Sequence, residues 1–154
     1  GGIDQRKIHM LARENLTKLG FKAPICIHIP ILLGLDGEKM SSSKQNYISV
    51  EDSPEEVRKK IRGAFCPAKV IEGNPVIQMF QHHIFPRFNE VVIKREEKYG
   101  GDIFYHRFEE LEEDFLSGNL HPADLKNSAG EYLNKIIDPV RKELSKLSTN
   151  DRLC

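Results

Sequence analysis

Between Asp4 and Phe21 the apolar residues Ile8, Leu11, Ala12, Leu16 and Leu19 recur near helical spacing. That predicts a helix, with Gly20 as its C-terminal stop. The period then changes. In "PICIHIP" Ile25, Ile27 and Ile29 alternate with Cys26 and His28, which predicts a short buried strand ended by Pro30. A helix followed by a strand is half of an α/β crossover unit. Whatever lies just beyond the carboxyl end of such a strand is where an open α/β sheet binds ligands.

The helical period returns in "EDSPEEVRKKIRGAF". Ser53 reads as an N-cap, Pro54 takes the first helical position and Glu56 completes a capping box, so a helix is expected from Pro54 to about Phe65. "CPAKVIEGNP" reads as a loop, and "PVIQMFQHHIF" as a short helix stopped by Pro86. "NEVVIKRE" and "GGDIFYHRF" are strand patterns around "EKYGG", which predicts a hairpin. "FEELEEDFLSG" is a helix with its acids outward and Gly118 as stop. "HPADLKNSAGEYLNKIIDPVRKELSKL" is a long helical stretch, expected to bend or break before Pro139. No internal repeat is visible.

The expected architecture is therefore α/β plus α. Residues 1–50 read as the end of an α/β domain and 51–147 as a mainly helical domain with a small hairpin. Residues 148–154 read as a disordered tail.

The chain has 154 residues and a formal net charge of zero. Neutrality argues against a broad nucleic-acid-coating surface and leaves room for a local contact. The charge is unevenly spread along the sequence. Lysine and arginine dominate the first fifty residues and "FEELEEDF" makes the back acid-rich, so a polyanion is expected to face the front. Cys26, Cys66 and Cys154 are odd in number and lack a CxxC pair, which disfavours a disulfide framework or zinc site and fits a reducing cytoplasm. No apolar stretch approaches membrane-spanning length.

After the isoleucine run comes "GLDGEKMSSSK", from Gly34 to Lys44. By itself a serine triplet is a linker or a kinase target. The setting favours a third reading. A strand, a glycine-flanked turn, Lys39 and Lys44 as point charges, and hydroxyls on Ser41–Ser43 together equip a loop to hold a polyphosphate whose charge grows during attack. The glycine spacing is not that of a Walker A loop.

"KMSSS" after such a strand resembles the signature loop of class I aminoacyl-tRNA synthetases. "GGIDQRKIHMLARE" resembles the amino-acid-binding helix of tyrosyl-tRNA synthetases of the archaeal and eukaryotic type, and "HPADLKN" resembles their anticodon-reading segment. The match runs in order from Gly1 to about Leu147. Tryptophanyl relatives share the architecture but are not expected to pair "GGIDQRK" with "HPADLKN". The HIGH-type signature of the nucleotide-binding half is not seen, so the chain is expected to be the carboxyl-terminal half of such an enzyme and inactive alone.

The resemblance implies a Rossmann-like end followed by an anticodon-binding domain, and attachment of tyrosine to its tRNA through a tyrosyl-adenylate. It implies ATP with Mg2+ as the substrate complex, no tightly bound protein metal, tRNA(Tyr) and tyrosine as partners, a cytoplasmic location and a homodimer in the full-length enzyme. By the same resemblance Gly1 and Gly2 approach the adenosine and Asp4 accepts from the ribose. Gln5 faces tyrosine. Lys39 binds the leaving phosphates, with Met40 and Lys44 beside it and Ser41 and Ser42 steadying the loop. Gln45 stands where many bacterial relatives have glycine. Tyr99 and His121 stack on the first anticodon base, Asp124 reads its Watson–Crick edge, Pro122 shapes the turn and Lys126 touches a phosphate. Plainer readings stand beside these. Asp4 is also a good N-cap, Tyr99 a hairpin aromatic and Asp124 an early-helix acid favoured by the dipole. The alternative function is a non-catalytic anticodon-binding module derived from a synthetase.

Overall fold

The computed structural model describes residues 1–146. The expected tail at 148–154 lies outside the described residues. Contacts divide the chain into two compact units, Gly1–Leu32 and a second that begins at Leu33, whereas the sequence reading placed a boundary near residue 50.

In the first unit a 3-10 turn over Ile3–Gln5 leads into α1, Arg6–Leu16, and a second 3-10 turn over Thr17–Leu19. Gly20 ends the run with φ of 84°, the left-handed value at which glycine carries no Cβ penalty. The isoleucine segment departs from expectation. Its backbone pairs with the start of the chain: Ile29 N–H donates to Gly1 O at 3.1 Å and Ile3 N–H to Ile29 O at 3.0 Å. Yet Ile25, Ile27 and Ile29 are 90%, 74% and 57% exposed. The expected buried strand is not formed: Ile29 makes only an isolated parallel bridge to Gly2, and no described residue covers the isoleucine face. On the opposite face His28 Nε2 meets His9 Nδ1 at 3.0 Å. Burial and the neighbouring imidazole hold His28 below the usual histidine pKa.

The second unit is helical with one small sheet. In α2, Pro54–Gly63, Ser53 Oγ accepts from Glu56 N–H at 3.3 Å while Glu56 Oε2 accepts from Ser53 N–H at 2.8 Å, the reciprocal cap that the sequence predicts. In α3, Pro75–Met79, the buried Asn74 amide oxygen accepts from Val76 and Ile77 N–H, and a π-helical turn over Phe80–Ile84 follows. The expected hairpin forms as β1, Val91–Ile93, antiparallel to β2, Ile103–Tyr105, in the register Val91↔Tyr105. In α4, Phe108–Ser117, Leu111 and Phe115 turn inward and Gly118, at φ 90°, ends it. The last helix, α5, runs Pro122–Lys146 with Pro139 inside it. The expected break is absent. Arg141 ties the turn beyond the proline back to the unit: its Nε donates to Asp52 O at 2.9 Å and its Nη2 to Asn134 Oδ1 at 3.2 Å.

The core is shared by α2, α3, α4, α5 and β1, through Val57, Ile61, Phe80, Val91, Leu111, Phe115, Leu125 and Leu133. The Tyr132 hydroxyl accepts from Val92 N–H at 2.7 Å and so fixes the hairpin to α5. Because Phe115 is fully buried, Phe115→Ala should lower unfolding free energy by about 3–5 kcal/mol. Ser53→Ala should cost about 1 kcal/mol through the lost cap. Urea denaturation measures both, and a larger loss at Ser53 than at Phe115 would contradict this division of stability.

Candidate functional site

Two groups of polar side chains stand out in the second unit. The first is the glycine-rich loop. Leu33 bridges Lys39, Gly34 N–H donates to Glu38 O at 2.7 Å, and Gly37 turns the chain at φ 82°. A Cβ on Gly37 would lie 2.8 Å from the Phe65 ring, so the turn also needs glycine for room. Leu35 O accepts from Phe65 N–H at 2.6 Å, which fastens the loop to the end of α2. Lys39, Met40, Ser42, Ser43 and Lys44 are exposed and Ser41 is half-buried. Ser41 Oγ and Ser43 Oγ are 2.9 Å apart, and Lys44 Nζ reaches Glu38 Oε2 at 3.4 Å. Gln45 adopts φ of 52°, the left-handed region that non-glycine residues seldom occupy.

Inside the loop sits Asn46, 7% exposed, which sequence reasoning missed. Its Nδ2 donates to Asp36 Oδ1 at 2.7 Å and to Lys39 O at 3.3 Å, and its Oδ1 accepts from Ser41 N–H at 2.9 Å. Its backbone carbonyl accepts from Leu35 N–H at 2.7 Å. Asp36 Oδ1 also accepts from Glu38 N–H at 3.0 Å. The Asn46 bond first, and the Glu38 N–H second, hold the Asp36 carboxyl below the usual carboxylate range.

The second group is a pocket of about 440 Å³ where the hairpin meets the start of α5, lined by Arg95, Tyr99, Asn119, His121 and Asp124 among others. Three of the expected RNA-reading residues therefore come together from two segments, Tyr99 from the hairpin connection and His121 and Asp124 from the start of α5. Tyr99 is 61% exposed at the end of a 3-10 turn, Glu97–Tyr99, and Gly100 and Gly101 follow at φ 98° and 73°. His121 Nδ1 accepts from Ala123 N–H at 3.1 Å, so in the neutral ring the proton sits on Nε2. Asp124 lies in the first turn of α5, where the helix N-terminus favours its charge. Pro122 occupies the first helical position. Arg95, not foreseen, braces the pocket: its Nε donates to Gly101 O and its Nη1 to Asn119 O, both at 3.0 Å.

Lys126 lies not in this pocket but in a neighbouring groove of about 350 Å³, with Arg58, Arg62, Lys94, Glu131 and Lys135 on its walls. Arg58 Nε donates to Glu131 Oε1 at 2.6 Å, so that pair largely cancels, while Lys94, Lys126 and Lys135 form no ion pair among the described residues. No periodicity announces this groove, because its cations come from α2, from α5 and from Lys94 just after β1.

The remaining expected residues lie in the first unit. Asp4 is in the 3-10 turn, where a Cβ on Gly2 would stand 2.5 Å from Asp4 Oδ1, a contact that a shift of the exposed Asp4 side chain relieves. Gln5 N–H donates to Gly2 O at 3.0 Å. Among the described residues no three His, Cys, Asp or Glu side chains are grouped to hold a metal ion. No described helix is long and apolar enough to cross a membrane.

The family model described as tRNA synthetases class I (W and Y) matches residues 1–138. A tyrosine–tRNA ligase of Archaeoglobus fulgidus is 61% identical over 144 residues, covering 94% of this chain and 45% of the relative. That of Methanosarcina acetivorans is 60% identical with the same shares. The crystal structure of the A. fulgidus tyrosyl-tRNA synthetase with L-tyrosine superposes with a TM-score of 0.88, covering 94% of this chain and 45% of that one. The Pyrococcus horikoshii enzyme, also with L-tyrosine, is 38% identical with a TM-score of 0.83, covering 94% and 47%. A tryptophanyl-tRNA synthetase from Encephalitozoon cuniculi, 18% identical, shares the fold with a TM-score of 0.65. The chain thus spans about 45% of the length of the first two relatives.

The loop carries its own pH dependence. Because the Asp36 pKa is lowered by bonds that its carboxylate accepts, those bonds are fully present above the ordinary aspartate value of about 3.9 and are lost as pH falls through the lowered folded value. The Asn46 side-chain amide resonances should report that midpoint in an NMR titration. A midpoint at or above the ordinary value would contradict the geometry.

Proposed function

From the premise that the chain belongs to the class I tRNA synthetases of the tryptophan and tyrosine group, we propose that it supplies the phosphate-holding loop and the anticodon-reading part of a tyrosine–tRNA ligase. The observation that carries this reading is the shared pocket of Tyr99, His121 and Asp124. An exposed tyrosine and an imidazole offer faces for an unstacked base, and a carboxylate offers two acceptors. Guanine presents two donors on its Watson–Crick edge, so Asp124 favours guanine as the first anticodon base. The groove of Lys94, Lys126 and Lys135 adjoins this pocket along α5 and suits the phosphates of the flanking nucleotides.

The reaction is attack of the tyrosine carboxylate on the α-phosphorus of ATP, followed by transfer of the tyrosyl group to the tRNA. Little covalent chemistry falls to the protein, so positioning and charge stabilisation dominate. Lys39 meets the negative charge that grows on the departing pyrophosphate, with Lys44 as a second cation and Met40, Ser41 and Ser42 shaping the loop. Gly1, Gly2 and Asp4 serve the adenosine and its ribose, and Gln5 the polar end of tyrosine. Magnesium arrives with ATP and neutralises its phosphates. The whole enzyme is a homodimer on the same reading. The glycine loop with its buried Asn46 favours an enzyme over a module that only binds RNA, since anticodon reading needs no phosphate loop.

Two outcomes test this. In the enzyme that joins this chain to the segment its relatives carry upstream, Lys39→Ala should slow tyrosyl-adenylate formation and leave tyrosine affinity unchanged, because the contact strengthens in the transition state. Equal losses in both would contradict the role. The second test is binding to four tRNA variants that differ in the first anticodon base. Tyr99→Ala should weaken every variant by roughly 1–3 kcal/mol, while Asp124→Ala should flatten the preference for guanine. Lys94→Ala and Lys135→Ala should each lower the salt slope by about 0.7–0.9 without changing the ranking of bases. An unchanged ranking after Asp124→Ala would sink the anticodon assignment.

A further inference from the structure

We infer that Asn46 is a positioning residue for the Lys39 loop, acting through a slot that only glycine at position 34 leaves open. The inference rests on reading that loop as the phosphate-holding element. Lys39 and Asn46 are linked at the backbone, where Asn46 Nδ2 holds Lys39 O at 3.3 Å. Two residues on, Asn46 Oδ1 holds Ser41 N–H at 2.9 Å. One side-chain amide thus fixes the main chain on both sides of Met40 and leaves the side chains of Lys39, Met40 and Ser42 outward.

The amide is itself held. Asp36 Oδ1 takes its second proton at 2.7 Å, and the Asn46 carbonyl is tied through Leu35 to Phe65 at the end of α2. Both donors and the acceptor of the side chain are used, and no buried side-chain nitrogen or oxygen of the described residues lacks a partner. Gln45 reverses the chain at φ 52° so that Asn46 turns inward instead of continuing along the loop. A left-handed non-glycine residue persists only where its surroundings enforce it.

Gly34 makes the slot. A Cβ there would stand 2.1 Å from Asn46 Nδ2, 2.4 Å from its Cγ and 2.9 Å from its backbone carbonyl oxygen, closer than any real contact. Its N–H is also engaged, at 2.7 Å from Glu38 O. The glycine is thus required by the asparagine and not by its own turn, since the turn's positive φ falls at Gly37. A loop that met phosphate through a wandering Lys39 would lose the entropy of ordering at each turnover. A loop held at residues 39 and 41 has that ordering built into the fold.

Two measurements test the inference. In this chain, Asn46→Ala should abolish hydrogen-exchange protection of the Ser41 amide and leave protection in α2 and α5 unchanged. In the enzyme with its upstream segment, Asn46→Ala should slow adenylate formation by on the order of 100-fold, the scale of a misplaced catalytic group, at unchanged tyrosine affinity. Gly34→Ala should slow it at least as much, because its methyl would meet both the Asn46 amide and the Asn46 backbone carbonyl. Lys39→Ala is the control that separates this inference from the reading beneath it. If Lys39→Ala leaves the rate unchanged, the loop is not the phosphate element and both fail. If Lys39→Ala slows the reaction while Asn46→Ala and Gly34→Ala do not, only the positioning role is overturned. Parallel losses in rate and tyrosine affinity would make Asn46 merely structural and would also overturn it.

Discussion

The second unit depends on the packing of α2 against α5. Val57 and Ile61 of α2 are fully buried, and so are Leu125 and Ala129 of α5. Small residues, Ser128, Ala129 and Gly130, stand where α5 comes closest, with Arg58 Cα only 3.7 Å from the place a Cβ on Gly130 would occupy. A Cβ at Gly130 would meet Arg58 and Ile61 at ordinary van der Waals distance, so the two helices pack closely there. This contact fixes both candidate sites. The end of α2 anchors the phosphate loop through Phe65 and Leu35, and the start of α5 carries His121 and Asp124.

The features legible in the sequence are those governed by local rules. The reciprocal cap at Ser53 and Glu56, the glycine stops at Gly20 and Gly118, and the hairpin between Val91 and Tyr105 each follow from a few adjacent residues. Features set by distant partners were not legible. The alternation in Ile25, Ile27 and Ile29 says which side chains share a face, but not what covers that face. Pro139 obeys its local rule by withholding a donor, yet α5 continues, with Arg141 held by Asp52 far back in the chain and by Asn134 earlier in the same helix. Asn46 left no mark at all, since a polar tertiary bond has no period.

Charge shows the same limit. Along the sequence the cations crowd the front, and a polyanion was expected to face it. A basic groove also lies in the second unit, built from Arg58, Arg62, Lys94, Lys126 and Lys135, and the same unit contains the acidic residues of α4. Net charge of zero therefore does not exclude a local cation-lined groove. A local positive surface attracts phosphate within about one Debye length, roughly 8 Å at physiological salt, whatever the total charge.

Most bracing side-chain bonds within that unit come from arginine, although Lys60 also holds Asp52 at 2.6 Å and Lys126 Nζ donates to Arg62 O at 3.2 Å. Arg58 grips Glu131 with two nitrogens, Arg95 binds Gly101 O and Asn119 O, and Arg141 reaches Asp52 O, Asp138 and Asn134. The planar guanidinium with its fixed fork suits such bracing. Lys94, Lys126 and Lys135 form no ion pair among the described residues, and Lys135 only overlies the Tyr132 ring at 4.9 Å. A flexible ammonium is a point charge that can follow a phosphate through small shifts of the RNA, and it releases the counterions around that phosphate when it binds. Replacing the groove lysines by arginine would therefore not be neutral. The forked groups would compete for Glu131 and for exposed carbonyls, and would remove mobile charge from the surface that needs it.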